Sequence, residues 1–425
     1  MNLSEKLRKG IPLRVLFVND IGFQFGAGIG MMRQIQAFLG RGDTVMLLCC
    51  QQGEVEGNIR FDGPGDWLGT QSIPQFNYRD KSQVLTPDFA VELLLLKAAA
   101  AYPDVVIFGN LHGKPWPVRL LPAMRRLAPA VIAYMHDCWY VTGRCAYPGE
   151  CTKYASPEGC DDKCPTPHEY PQLNPSLIHA AWQERRAIFG GPHGIPLVAN
   201  SDWTLQFARN SIPDLPMPGV VHLSLDTNLF KPGDKAAARR ALGIPEGKLI
   251  VTAGAVNLTD ERKGGKYLQT IFNSLPEGTQ GVVFGHNSHV IKGVIPIALQ
   301  RDQSLMPLVF QASDVFVNTA VTEAFGMTVM EASACGVPTC AFRVGGITEI
   351  ARDGQNARLA TLGDVNGLLA NIKWFRDNPE ELAAYGRRGR EIVETDFSIQ
   401  RHGENWGKYL MQLADYQEGL AEKAA

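Results

Sequence analysis

The chain has 425 residues, 45% of them hydrophobic and 20% charged, with a formal net charge of -2. That length allows two domains or three, each with its own core, and the composition is that of a soluble globular protein. The near balance of charge leaves no polybasic arm, which excludes bulk attraction to nucleic acid.

The opening "MNLSEKLRKG" is charged and amphipathic, unlike the apolar core of a signal peptide. Apolar stretches such as "LLLLKAAAAY" fall short of the roughly 20 residues of a membrane-spanning helix. The expected location is the cytoplasm, with peripheral attachment at the inner face of the membrane as the other option. "PLRVLFVND" (Pro12 to Asp20) is a short apolar, β-branched run, as in a strand buried on both faces of a parallel sheet. In "IGFQFGAGIGMMRQIQAFLGRGD", Ile29, Met32, Ile35 and Leu39 recur at helical spacing. Glycines precede the run, and Gly40 and Gly42 end it.

The same alternation returns at "TVMLLCC", "DVVIFGN", "AVIAYMHD" and "IPLVANS", which predicts a doubly wound α/β domain. The turn-rich Pro213 to Pro232 segment reads as a linker. "KLIVTAGA", "GVVFGHN", "DVFVNTA" and "VPTCAF" then begin a second α/β series, and a terminal amphipathic helix carries Trp406, Leu410, Leu413 and Tyr416. The expected organisation is an N-terminal Rossmann-like domain over 1–215, a C-terminal one over 216–396, and a helical segment over 397–425 that packs back on the first. Two such domains imply a cleft, with ligands beyond the carboxyl ends of the strands.

The stretch "TEAFGMTVMEASACGVP" carries Glu323 and Glu331. Gly326 predicts a turn, and a helix from about Met327 to Cys335 stops at Gly336 before Pro338. Glu323 then lies on the loop and Glu331 inside the helix, whose free first-turn N–H groups suit phosphate. Together, "EAFGMTVMEASACGVPTCAFRVGGITEI", "HLSLDTNLFKP", "DERKGG" and "FGAGIG" resemble, in order, the signatures of the retaining glycosyltransferases of family 4, also called group 1. The resemblance runs from Arg14 to about Asp396. It implies the GT-B fold, two Rossmann-like domains facing each other across a cleft, and a nucleotide-diphosphate sugar as donor, UDP- or GDP-linked.

Carried over, Glu331 holds the ribose hydroxyls, Glu323 contacts the donor sugar, and the backbone of Phe325, Gly326, Met327 and Thr328 cradles sugar and phosphate. Arg262 and Lys263 neutralise the diphosphate that develops charge as it leaves; the bland reading of "DERK" is a solvated charge run. Gly26, Ala27 and Gly28 let backbone N–H groups approach the diphosphate or the acceptor. The same loop resembles a dinucleotide fingerprint, but "TVMLLCCQQ" ends in glutamines where an acidic residue would hold a ribose. His136, beside Asp137 at a strand end, is implied to touch donor sugar or acceptor. The alternatives are a general base and a satisfied structural histidine.

Cys145, Cys151, Cys160 and Cys164 lie at C-x5-C-x8-C-x3-C spacing in a cysteine-rich loop spanning 138–170. Four thiolates could close a structural zinc site; reduced thiols or disulfides are the other readings. A similar "HDCW...TGxC" loop occurs in family members that resemble polysaccharide-assembly enzymes. The family resemblance as a whole implies retaining, metal-independent transfer to a saccharide or lipid-linked oligosaccharide in exopolysaccharide, capsule or lipopolysaccharide assembly. A sugar-nucleotide epimerase and a non-catalytic nucleotide-sugar-binding module are the rivals.

Overall fold

The computed structural model describes residues 1–51, 63–72, 88–114, 116–165, 170–298 and 302–424. Within them the chain forms two compact units. One runs up to His222 and includes His402–Ala425; the other is Leu223–Arg401.

The first unit is built on seven strands: β1 (Arg14–Ile21), β2 (Thr44–Gln51), β3 (Trp67–Ser72), β4 (Val105–Phe108), β5 (Ala130–Met135), β6 (Leu197–Ala199) and β7 (Gly219–Val220). They lie in the order β3-β2-β1-β4-β5-β6-β7, every neighbouring pair parallel. Continuous apolar runs produce this arrangement because helices cover both faces; β4 and β5 are buried along their whole length. Since β1 pairs with β2 on one side and β4 on the other, the order reverses there and opens a crevice at the strands' carboxyl ends.

In the second unit the strands are β8 (Leu249–Asn257), β9 (Thr279–His286), β10 (Ile295–Ile297), β11 (Val315–Asn318), β12 (Thr339–Phe342) and β13 (Ala357–Ala360). Their order is β10-β9-β8-β11-β12-β13, again all parallel, so the reversal falls between β8 and β11.

The Ile399–Ala424 helix begins in the second unit and, from His402 onward, packs within the first. Trp406 is fully buried, its ring 5.7 Å from Phe38 and 5.8 Å from Tyr134. Tyr409 donates its hydroxyl to Met217 O at 2.8 Å. No described helix is long and apolar enough to cross a membrane.

Candidate active site

In the C-terminal unit, the chain leaving β8 makes one 3-10 turn at Glu261–Lys263, capped by the Asp260 carboxylate accepting from Arg262 N at 3.0 Å. The same carboxylate holds the Arg262 guanidinium, Nη2 to Oδ2 at 2.5 Å and Nε to Oδ1 at 3.1 Å. Gly264 follows at φ +66°, where a Cβ would stand 1.8 Å from Thr319 O. Only glycine fits so close an approach in a left-handed conformation.

That approach joins the two loops flanking the sheet's reversal. Val321 N donates to Arg262 O at 2.8 Å, and Thr319 Oγ1 donates to Lys263 O at 3.0 Å. With both backbones fixed, Lys263 Nζ reaches Glu323 Oε2 at 2.5 Å, their side chains 30% and 14% exposed. Glu323 is clamped from the other side as well, its carbonyl accepting from Gly346 N at 3.0 Å. A Cβ on Gly345 would lie 2.0 Å from Glu323 O, and one on Gly346 would lie 2.2 Å from Ala324 O.

Gly326, at φ +107°, then turns the chain into the Met327–Ala334 helix. The N–H groups of Val329 and Met330 both donate to Gly326 O, so the Met327 and Thr328 amides precede the helix's own bonds. Both of those residues are half-buried, whereas the Phe325 ring is 2% exposed and packs 5.8 Å from Phe397. Phe325 can therefore offer a ligand its backbone but not its ring. Glu331, 5% exposed, sits on the same helix. Two cations, a carboxylate, a helix start and a second, buried carboxylate are thus assembled by the loops after β8 and β11.

In the N-terminal unit one expectation is corrected. The helix already begins at Phe25, so Gly26, Ala27 and Gly28 form its first turn and the loop proper is Gly22 to Gln24. Gly28 is needed there because a Cβ would meet Gly22 O at 2.2 Å, while Gly26 has nothing within 4 Å.

His136 follows β5 directly and is 7% exposed. Its ring stacks edge-on to Tyr134 at 5.0 Å, and its buried Nε2 has no hydrogen-bond partner among the described residues. Burial pulls its pKa down to about 4, so it is neutral at pH 7. A histidine-aspartate base made from adjacent residues is not what the structure contains, because Asp137 turns away. Its Oδ2 lies 3.0 Å from His112 Nε2, and its Oδ1 accepts from Trp139 N at 2.9 Å.

Asp20, ending β1, faces the same group and accepts from the Gly113 and Lys114 amides. Burial raises its pKa to about 6, against the opposing pull of His112. Neither Asp20 nor His112 was expected from the sequence. The available signal was position alone, "VND" and "FGNLHG" falling at the carboxyl ends of two buried runs as "YMHD" does.

The four loop cysteines are free thiols, and among the described residues no three of their sulfurs lie within 4.8 Å of one another. Two of them face protein donors: Gly143 N donates to Cys160 Sγ at 3.2 Å, and Arg144 Nη2 donates to Cys164 Sγ at 3.3 Å. Burial pushes the Cys160 thiol up to about 11. The loop also has apolar anchors. Trp139, Tyr140 and Tyr154 are buried, and Trp182 Nε1 donates to Tyr154 O at 3.0 Å.

Residues 289–392 match the family model "Glycosyl transferases group 1". A D-inositol 3-phosphate glycosyltransferase 2 of Catenulispora acidiphila is 27% identical over 222 residues, 46% of this chain and 51% of the relative. The chain thus spans about half the length of that relative. Among solved structures, sucrose-phosphate synthase from Thermosynechococcus elongatus aligns with a TM-score of 0.70 at 17% identity, over 94% of this chain and 98% of that one. Anabaena HepE in complex with UDP-glucose gives 0.65 at 15% identity, over 94% and 99%. The segment that matches the group 1 glycosyl transferase model contains both glutamates, and the fold is shared with these structures over nearly the whole length of the chain.

Proposed function

We propose that the chain is a retaining glycosyltransferase that moves a sugar from a nucleotide-diphosphate donor to a carbohydrate acceptor. The observation that carries this is the Lys263 to Glu323 ion pair beside the start of the helix bearing buried Glu331. On this reading the donor displaces the pair's internal contact. Lys263 and Arg262 turn to the diphosphate, Glu323 to the sugar, and Glu331 accepts from the ribose hydroxyls. The Met327 and Thr328 amides add dipoles where the leaving group gains charge, which is the kind of stabilisation that lowers the barrier. Two side-chain cations and a helix start provide positive charge without a metal, which supports metal-independent transfer.

Uracil is the favoured base of the donor, because HepE, which shares the fold, is known in complex with UDP-glucose. Retention rests on the resemblance in the E-x7-E segment. His136 would meet donor sugar or acceptor through its unpartnered Nε2. The role in exopolysaccharide, capsule or lipopolysaccharide assembly, with a lipid-linked acceptor, rests on the family resemblance, and peripheral membrane attachment is proposed with it.

A thermal-shift screen of UDP-, GDP-, dTDP- and ADP-sugars tests the donor site. Ligand at about 100 times its Kd should add ~2.7 kcal/mol of stability, so a UDP-sugar is expected to raise Tm clearly. If none of the four classes shifts it, the reading fails. Transfer should vanish in Glu323→Ala with the fold retained; conversion of donor without any acceptor would indicate an epimerase instead.

A further inference from the structure

Asp137 has three possible partners around it and uses only two. Its Oδ2 is engaged by His112 Nε2 and its Oδ1 by the Trp139 amide, while the adjacent His136 keeps a buried, unpartnered Nε2. His112 is itself held from several directions. Its Nδ1 lies 3.3 Å from the Tyr170 hydroxyl, and its ring stands 5.3 Å from both Trp139 and Tyr170. Asp20, from β1, fixes the backbone immediately after it through Gly113 and Lys114. A Cβ on Gly113 would come 2.9 Å from Ile21 Cδ1 and 3.1 Å from Asp20 Oδ2, so both side chains would have to give way.

We propose that His112 is a positioning residue: by engaging Asp137 it withholds that carboxylate from His136, which therefore meets substrate as an uncharged hydrogen-bonding group. This rests on the assignment of His136 to the substrate site.

The charges around the two rings are consistent with that division. His112 faces Asp137, Asp20 and the Arg185 guanidinium, with the Tyr170 phenol on its far nitrogen, and the two carboxylates outweigh burial to raise its pKa. His136 faces Asp137, His112 and the Tyr134 ring. Burial dominates, and the attraction of Asp137 is opposed by the charge of His112. Arg185 is not free to replace His112, because its Nη1 already donates to Trp139 O at 3.0 Å and Thr142 O at 2.6 Å. A neutral imidazole suits a sugar hydroxyl, since it can accept or donate without carrying charge into a buried site.

The test is histidine side-chain NMR on the full chain, with pH titration of assigned His112 and His136 rings. In the wild type, His136 should remain neutral down to about pH 4. In His112→Gln the freed carboxylate should turn to His136 and raise its midpoint by about one unit or more, as a carboxylate within contact distance does. In Asp137→Asn the His112 midpoint should fall while His136 stays low, which keeps the proposal testable if His112→Gln misfolds. An unmoved His136 in a folded His112→Gln, or a raised one in Asp137→Asn, would overturn it. UDP binding by calorimetry runs alongside as the control on the donor unit. Loss of that signal in the wild type would count against the transferase reading and leave the proton assignment standing.

Discussion

At the scale of single residues, Glu323 and Glu331 stand on either side of a helix start and differ in what surrounds them. Glu323 is partly exposed and paired with Lys263; Glu331 is buried at 5% exposure. A partly buried ion pair of this kind holds both side chains beside the helix start, where a ligand contact can replace it. A buried carboxylate that accepts from ligand hydroxyls contributes strongly to binding, because charged hydrogen bonds are worth about 1.5–3 kcal/mol each. Glu331→Ala should therefore weaken UDP binding roughly 10- to 150-fold, read by calorimetry with UDP. Weakening below about threefold would remove Glu331 from the ribose. Both glutamates were legible in the sequence because they flank a glycine and precede a glycine-proline stop. His112 was not, because its meaning comes from Asp137, which is distant in sequence and brought close only by the pairing of β4 with β5.

At the scale of elements, what could be read follows burial. The nine strands expected from apolar runs are β1, β2, β4, β5, β6, β8, β9, β11 and β12. The unexpected ones are β3, β7, β10 and β13, which are the four edges of the two sheets. An edge strand is covered on fewer sides, so it needs no continuous apolar run. "GV" within the proline-rich linker shows the effect: two half-buried residues close the first sheet where composition suggested only a turn.

Glycines divide in the same way, by what lies across from them. Gly28 opens the Phe25–Gly40 helix against Gly22 O, where a Cβ would sit 2.2 Å away, while Gly26 one half-turn earlier faces open space. Gly26→Ala should be neutral or stabilising by up to ~1 kcal/mol through helix propensity. Gly28→Ala should destabilise the N-terminal unit by about 1–3 kcal/mol, as overpacking against backbone does. Chemical denaturation of the two variants checks the contrast. Equal effects would mean that the Gly22 carbonyl yields.

At the scale of the whole molecule, the first unit buries titratable groups whose protonation must couple to folding. His402 is held as one tautomer, Nδ1–H donating to His222 O at 2.6 Å and Nε2 accepting from Trp406 Nε1 at 3.0 Å. A second ring proton would point at the tryptophan N–H, and burial takes this pKa down to about 4, as it does for His136. Groups depressed in the fold contribute stability above their unfolded value, near 6.5, and lose it as pH falls toward 4. Asp20 has the opposite sign. Raised to about 6 from an ordinary 3.8, it favours the fold at low pH and costs stability as pH rises through that window.

Between pH 4 and 6 two histidines therefore act against one aspartate, which leaves about one proton's worth of slope, ~1.4 kcal/mol per pH unit. Asp43 and Glu184, also raised by burial, reduce that slope further. Between 6 and 6.5 the histidines act with less opposition. Above 6.5 His112, whose pKa is raised, begins to lose its contribution. The stability of the N-terminal unit should thus peak near pH 6.5 and fall on both sides. Urea denaturation at half-unit steps from pH 4.5 to 8 would show it. A curve that rises steadily toward acid would mean that His136 and His402 accept protons in the folded chain, and the neutral His136 on which the acceptor-side reading depends would be lost with it.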